Sequence, residues 1–182
     1  MIRLALFAFL SLPIMRVSRR SLRHPRSHGF SRFFAFESIL ALMVLNAPHW
    51  FAHPLAIWQL LSWVLLSTSL ALVVWGFLNL RGQGGFSPTA ETSTTFAWEN
   101  TGRLVTTGIY RHVRHPMYSS LLFLAWGAVL KAVSPVTLGL GAVASLALAA
   151  TAKAEEAENV TRFGQEYKDY MARTRCFVPF FL

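Results

Sequence analysis

Residues Leu55 to Leu80 read LAIWQLLSWVLLSTSLALVVWGFLNL, without a single charged side chain. A helix that spans a bilayer needs roughly 20 mostly apolar residues, and this stretch exceeds that. It is therefore read as a transmembrane helix. The rest of the chain agrees. Of 182 residues, 54% are hydrophobic and 14% charged, against about 25% charged in an average soluble domain. Such a composition excludes a disordered chain and argues against an ordinary soluble enzyme.

Four further apolar blocks flank the first. Met117 to Val133 is apolar up to Lys131, and Thr137 to Ala152 is uncharged and rich in small residues. Phe33 to Phe51 carries one acid, Glu37. Ile2 to Val17 is short and holds Arg3 and Pro13. This last block resembles a signal peptide in length, but its arginines, Arg16, Arg19, Arg20, Arg23 and Arg26, follow it, whereas a signal peptide carries its charge first. It is read as a retained helix, with a helix lying in the interface as the alternative. The expectation is an all-α polytopic membrane bundle of about five transmembrane helices with a cytoplasmic C-terminal helical tail. Residues 1–80 form the N-terminal helices, and 81–182 form a core of loop, helical hairpin and tail.

The formal charge of +9 is explained by topology. Cytoplasmic loops collect Lys and Arg. Fifteen of the 17 basic residues fall in segments 16–32, 81–115 and 153–182, which alternate with the apolar blocks; Arg3 and Lys131 are the others. The C-terminus is thus placed inside, in an integral membrane protein of the bacterial inner-membrane type. No nucleic-acid-binding motif accompanies the charge, so no nucleic-acid partner is expected; the bilayer is the partner. The single cysteine, Cys176, excludes a disulfide framework and a multi-cysteine zinc site, and no metal centre is expected.

Two polar segments are large enough to carry chemistry. The loop after residue 80 opens with Gly82-Gln83-Gly84, which lacks the strand–turn–helix context of a dinucleotide fingerprint and is read as a flexible loop after a helix. It ends in Arg111, His112, Arg114 and His115, flanked by Tyr110 and Tyr118. Pro116 suits the first turn of a helix, whose free N–H groups favour an anionic group; a juxtamembrane basic anchor is the bland alternative. The tail holds Glu155 and Glu156 directly after the last apolar block, a pair that could equally be a solvated start of a new helix. Val160, Phe163, Tyr167 and Tyr170 follow at helical spacing and are read as a packing face.

The last two apolar blocks form a hairpin through a short turn at 131–135, so His115 and Tyr118 come to the same membrane surface as Glu155 and Glu156. Basic and aromatic groups beside a carboxylate pair suit a ligand bearing a carboxylate and a ribose or cationic centre, such as S-adenosylmethionine. That chemistry permits this ligand without selecting it.

Several motifs then converge: Leu104-Val105-Thr106-Thr107-Gly108-Ile109-Tyr110; Arg114-His115-Pro116-Met117-Tyr118; Glu155-Glu156; Phe163-Gly164-Gln165-Glu166-Tyr167-Lys168-Asp169-Tyr170; and Val178-Pro179. In order and spacing, residues 100–182 resemble the integral-membrane methyltransferases that include isoprenylcysteine carboxyl methyltransferase and the phospholipid N-methyltransferases. The resemblance implies S-adenosylmethionine as methyl donor, bound on the cytoplasmic side beneath the tail in a pocket open to the bilayer. It implies that Gly102, Arg103, Leu104, Val105 and Tyr110 line the cofactor, that His115, Pro116, Met117 and Tyr118 continue the pocket, and that Glu155 binds the cofactor. Glu156 would lie beside it or near the acceptor, as general base if the acceptor is a protonated amine or thiol. The acceptor would be lipophilic or a small membrane-permeable molecule. Thr151 departs from the pattern: the isoprenylcysteine enzymes carry Arg about one turn before the first acid, and the nearest base here, Lys153, lacks the fork of a guanidinium. Ser120 stands where many relatives have Gly. The rival reading is a non-catalytic membrane scaffold or sensor that retains the fold. A sterol-type reductase is disfavoured, since no nicotinamide motif is recognisable.

Overall fold

The computed structural model describes residues 1–25, 27–83 and 103–178. Six helices run in order: α1 Ile2–Ser18, α2 His28–Asn46, α3 Ile57–Gln83, α4 Pro116–Val129, α5 Pro135–Phe163 and α6 Gln165–Arg173. Among the described residues, extended pairing is confined to one isolated parallel bridge, Val113 to Arg175. The described residues are all-α, as the apolar blocks imply.

Three described helical stretches are long and apolar enough to cross a membrane: His28–His49, Ile57–Gln83 and Pro135–Phe163. The expected five reduces to three by this measure. Helix α1 has 17 residues and α4 only 14, and 14 residues at 1.5 Å each reach about 21 Å, short of the ~30 Å hydrocarbon core. At its start, α4 is set by Pro116 at its first position. At its end, Lys131 is drawn out of the apolar run: its ammonium donates to Gln59 Oε1 (3.0 Å) and sits 3.6 Å from the centre of the Trp63 ring. Helix α1 packs on α2, where Ser11 Oγ donates to Glu37 Oε1 at 2.7 Å. That bond gives the acid within the second apolar block a partner.

The bundle is built on two extensive pairings, α2 with α5 and α3 with α4. Ile39 and Leu42 of α2, Ala125, Ala128 and Val129 of α4, and Ala144 of α5 form the central core. Small residues set how closely the helices approach. A Cβ on Gly127 would meet Leu66 at 2.9 Å, and one on Gly141 would meet Val129 at 2.9 Å, whereas Gly139 faces open space. Buried polar side chains satisfy carbonyls across the interfaces, as a membrane interior requires. Asn46 Nδ2 donates to Ala128 O (2.7 Å), Ser62 Oγ to Gly127 O (2.6 Å) and Ser69 Oγ to Ser120 O (2.7 Å).

Helix α5 departs most from its reading as an apolar block ending at Ala152. Its start is fixed by a reciprocal cap between Ser134 and Thr137, and it continues unbroken to Phe163. The run Ala152-Lys153-Ala154-Glu155-Glu156-Ala157-Glu158 consists of strong helix formers, so nothing stops the helix at the membrane surface. Glu155 and Glu156 therefore lie inside a helix rather than at the start of a new one. Gly164 ends it with φ 59° and ψ −129°, a conformation open essentially to glycine alone.

Gly108 also adopts positive φ (61°), and a Cβ there would overlap the side chain of Asn79 on α3. Gly108→Ala is expected to lower stability by about 1–3 kcal/mol, seen as a lower thermal midpoint in detergent. Gly82→Ala, within α3 where a Cβ meets nothing, is expected to leave the midpoint unchanged or raise it.

Candidate functional site

Residues 112–115 and 174–177 lie side by side. Arg175 N donates to His112 O (3.2 Å), Arg114 N to Arg175 O (2.7 Å) and His115 N to Cys176 O (3.1 Å). The Arg114 side chain binds the same two segments to α5. Its Nε donates to Glu156 Oε1 at 2.7 Å, and its Nη1 donates to Thr174 O at 2.5 Å and Met171 O at 3.2 Å. Arg114 is 11% exposed and Glu156 15%. A planar guanidinium with fixed donor directions serves a carboxylate and two carbonyls at once. Tyr170 Oη donates to Tyr110 O (2.6 Å) and Ser119 Oγ to Phe177 O (2.6 Å), pinning α6 and the tail over the start of α4.

Because α5 continues about two turns past Glu155 while α4 begins only at Pro116, a cleft opens at this end of the bundle. It is open at its mouth and encloses about 110 Å³. Glu155, Asn159, Arg162 and Phe163 of α5 line one wall, at the spacing of a single helix face. Leu80 of α3, Leu104, Val105 and Tyr110 of the connecting segment, and residues 114–118 line the others, with Tyr167 and Tyr170 of α6 closing over them.

Within the cleft, Tyr118 Oη donates to Glu155 Oε2 at 2.5 Å. The His115 ring stacks on Tyr118, with centroids 5.4 Å apart and planes 17° from parallel. His115 Nδ1 lies 4.0 Å from Glu155 Oε2, and Nε2 lies 3.4 Å from Glu156 Oε1. This second approach lacks hydrogen-bond geometry. His115 is 5% exposed, and its Nε2 has no hydrogen-bond partner among the described residues. Burial raises the Tyr167 and Tyr170 hydroxyls well above the ordinary tyrosine value, so both remain neutral hydrogen-bonding groups. Burial pushes the Cys176 thiol up to about 11, which makes it a poor nucleophile.

Eight of the expected cofactor residues converge on this cleft: Leu104, Val105, Tyr110, His115, Pro116, Met117, Tyr118 and Glu155. Arg103 is exposed and does not line it. Gly102 lies outside the described residues, as do Gly84 and Pro179. Glu156 does not line the cleft; it is engaged by Arg114 and His115. Arg111 and His112 are exposed, as the anchor alternative has it. Phe163, Tyr167 and Tyr170, read as a packing face, line the cleft. The helix breaks between Phe163 and Tyr167, so the stripe turns inward instead of continuing along one face. Asn159 and Arg162 were missed, although counting four and seven residues on from Glu155 would have found both.

Described helices long and apolar enough to cross a membrane, packed as a bundle with a cleft at one end, fit an integral membrane protein. The chain belongs to the phospholipid methyltransferase family of integral-membrane methyltransferases: the family model matches residues 57–166, from the start of α3 into α6. No curated protein and no solved structure matches the chain.

Arg114→Lys is expected to release the tail, since an ammonium cannot span Glu156 and both carbonyls, and to cost on the order of 3 kcal/mol, as for a broken buried ion pair. Limited proteolysis in detergent checks this through faster cleavage after residue 165.

Proposed function

We propose that the protein is an S-adenosylmethionine-dependent methyltransferase that acts on a lipophilic or small membrane-permeable acceptor at the cytoplasmic membrane surface. The observation that carries the reading is the convergence, on one cleft, of the family's motif residues from α4, α5 and the segment between α3 and α4. The donor set there fits the cofactor's chemistry. Glu155 offers a half-buried carboxylate that can accept from a diol or an amine. Tyr110, Tyr118 and Phe163 offer aromatic faces to a cationic centre. Arg162 brings positive charge to the wall for a carboxylate.

When bound, S-adenosylmethionine supplies an electrophilic methyl group on a sulfonium. The residues of this chain bind, orient and shield. Tyr118 fixes the Glu155 carboxylate through its hydroxyl. His115, stacked on Tyr118, stiffens that pair from behind. The tail, tied down by Arg114 and Tyr170, keeps water from the inner wall. Leu80 and Met117 make an apolar edge on α3 and α4 and provide the side from which an acceptor enters out of the bilayer. Glu156, bonded to Arg114 and set back from the cleft lining, is read as a residue that organises the tail rather than as a general base. Thr151 is fully buried and donates to Ala147 O at 2.7 Å. It supplies no cation for an acceptor carboxylate, which favours an amine or thiol acceptor over a prenylcysteine carboxylate. A cytoplasmic orientation is supported by Arg16, Arg111, Arg114, Arg162 and Arg173, which cluster at the cleft end of the helices.

Calorimetry on detergent-purified protein is expected to show S-adenosylmethionine binding that weakens about tenfold or more in Glu155→Gln and Tyr118→Phe, as for a lost hydrogen bond to a charged group. Unchanged affinity in both variants would refute the assignment. Radiolabelled methyl should appear in a lipid or thiol fraction of a membrane extract; its absence would favour a scaffold.

A further inference from the structure

Behind the cleft wall, His115, Glu156 and Cys176 bring together three donors. One ring nitrogen, one carboxylate oxygen and the Cys176 sulfur lie within 4.8 Å of one another. Of these three residues His115 alone lines the cleft; Glu156 and Cys176 do not.

Three features converge there. The donor types, imidazole, carboxylate and thiolate, are those of borderline divalent cations, zinc above all. The separation of 3.4 Å between His115 Nε2 and Glu156 Oε1 is close to the edge of a zinc tetrahedron, about 3.3 Å for bonds of ~2.0 Å. His115 is buried, and its Nε2 has no hydrogen-bond partner among the described residues; native proteins seldom leave such an atom unused. The backbone also places the donors: His115 N is bonded to Cys176 O at 3.1 Å, which holds the two residues in register. Arg114 occupies one direction on Glu156, and a carboxylate keeps further lone pairs for a metal.

We propose that His115, Glu156 and Cys176 form a binding site for a zinc-like divalent cation, which clamps the C-terminal tail to the start of α4 and to α5. On binding, the thiol gives its proton to solvent and the sulfur ligates as thiolate. Three protein donors leave one coordination position open. The site shares His115 with the cleft, and its readout is spectroscopic, separate from methyl transfer.

Cobalt(II) is titrated into the reduced, detergent-purified full chain carrying no polyhistidine tag. The expected result is one equivalent bound, with thiolate-to-cobalt charge-transfer absorption and the intense visible bands of tetrahedral cobalt, all displaced by zinc. Cys176→Ser should abolish the charge-transfer band. In the wild-type chain, zinc should slow alkylation of Cys176 by iodoacetamide at least tenfold, and a chelator should restore the rate. This second measurement needs no variant to fold. Absence of a thiolate band, its persistence in Cys176→Ser, or alkylation indifferent to zinc would each overturn the site. Loss of methyl transfer with an intact cobalt spectrum would count against the enzymatic reading alone.

Discussion

The guanidinium of Arg114 is the constraint on which the working end of this molecule depends. A tail that follows the last long helix has no apolar block to bury. Its backbone must be satisfied by something other than its own secondary structure. Arg114 does this by donating to two carbonyls of the tail, Met171 and Thr174, while its third bond anchors on Glu156 of α5. Its backbone N–H meets Arg175 in the same stretch. One side chain thereby fixes three segments distant in sequence, and the cleft is the space they leave. A buried cation costs free energy unless it is paired and hydrogen-bonded, and Arg114 is paired with Glu156 and donates to two carbonyls.

The rest of the bundle follows from its solvent. In a membrane interior, association cannot rest on the hydrophobic effect, so close packing and interhelical hydrogen bonds must supply it. Gly127 and Gly141 provide the approach, and Asn46, Ser62 and Ser69 the bonds. The two ends differ. At one, Lys131 is folded inward onto Gln59 and Trp63, which closes the α4–α5 turn. At the other, α5 outruns α4, and the excess helix becomes a wall. The short α4 is thus a condition of the cleft.

Much of this was legible in the residues. Hydropathy marked the apolar helices α1 to α5, since burial of backbone in lipid demands them, but not the polar α6. The hairpin argument brought His115 and Tyr118 to Glu155, because a short turn between two helices leaves no other arrangement. Lengths were less legible. Composition marks where apolarity ends, whereas helix formation ends where the backbone is interrupted, and at α5 these points are eleven residues apart, Ala152 and Phe163. Asn159 and Arg162 are less legible for another reason: the periodicity that stands out past Ala152 is the apolar one through Val160 and Phe163, not the polar one that starts from Glu155. The pairing of residues 112–115 with 174–177 leaves no periodic signal, since it is a tertiary contact between two short irregular segments.

The adjacent acids show what the helix adds to the sequence. As a dipeptide, Glu155-Glu156 suggests a single carboxylate pair with a shared task. In an α-helix, neighbouring residues point about 100° apart, so two consecutive acids face different surroundings. Glu155 turns to the cleft and accepts from Tyr118, and Glu156 turns to the tail and accepts from Arg114. His115 lies between them, with one ring nitrogen toward each. The two carboxylates thus flank one imidazole instead of facing each other. Tyr167 and Tyr170 line the cleft as well, so the arrangement of the tail is part of the geometry that any bound molecule meets.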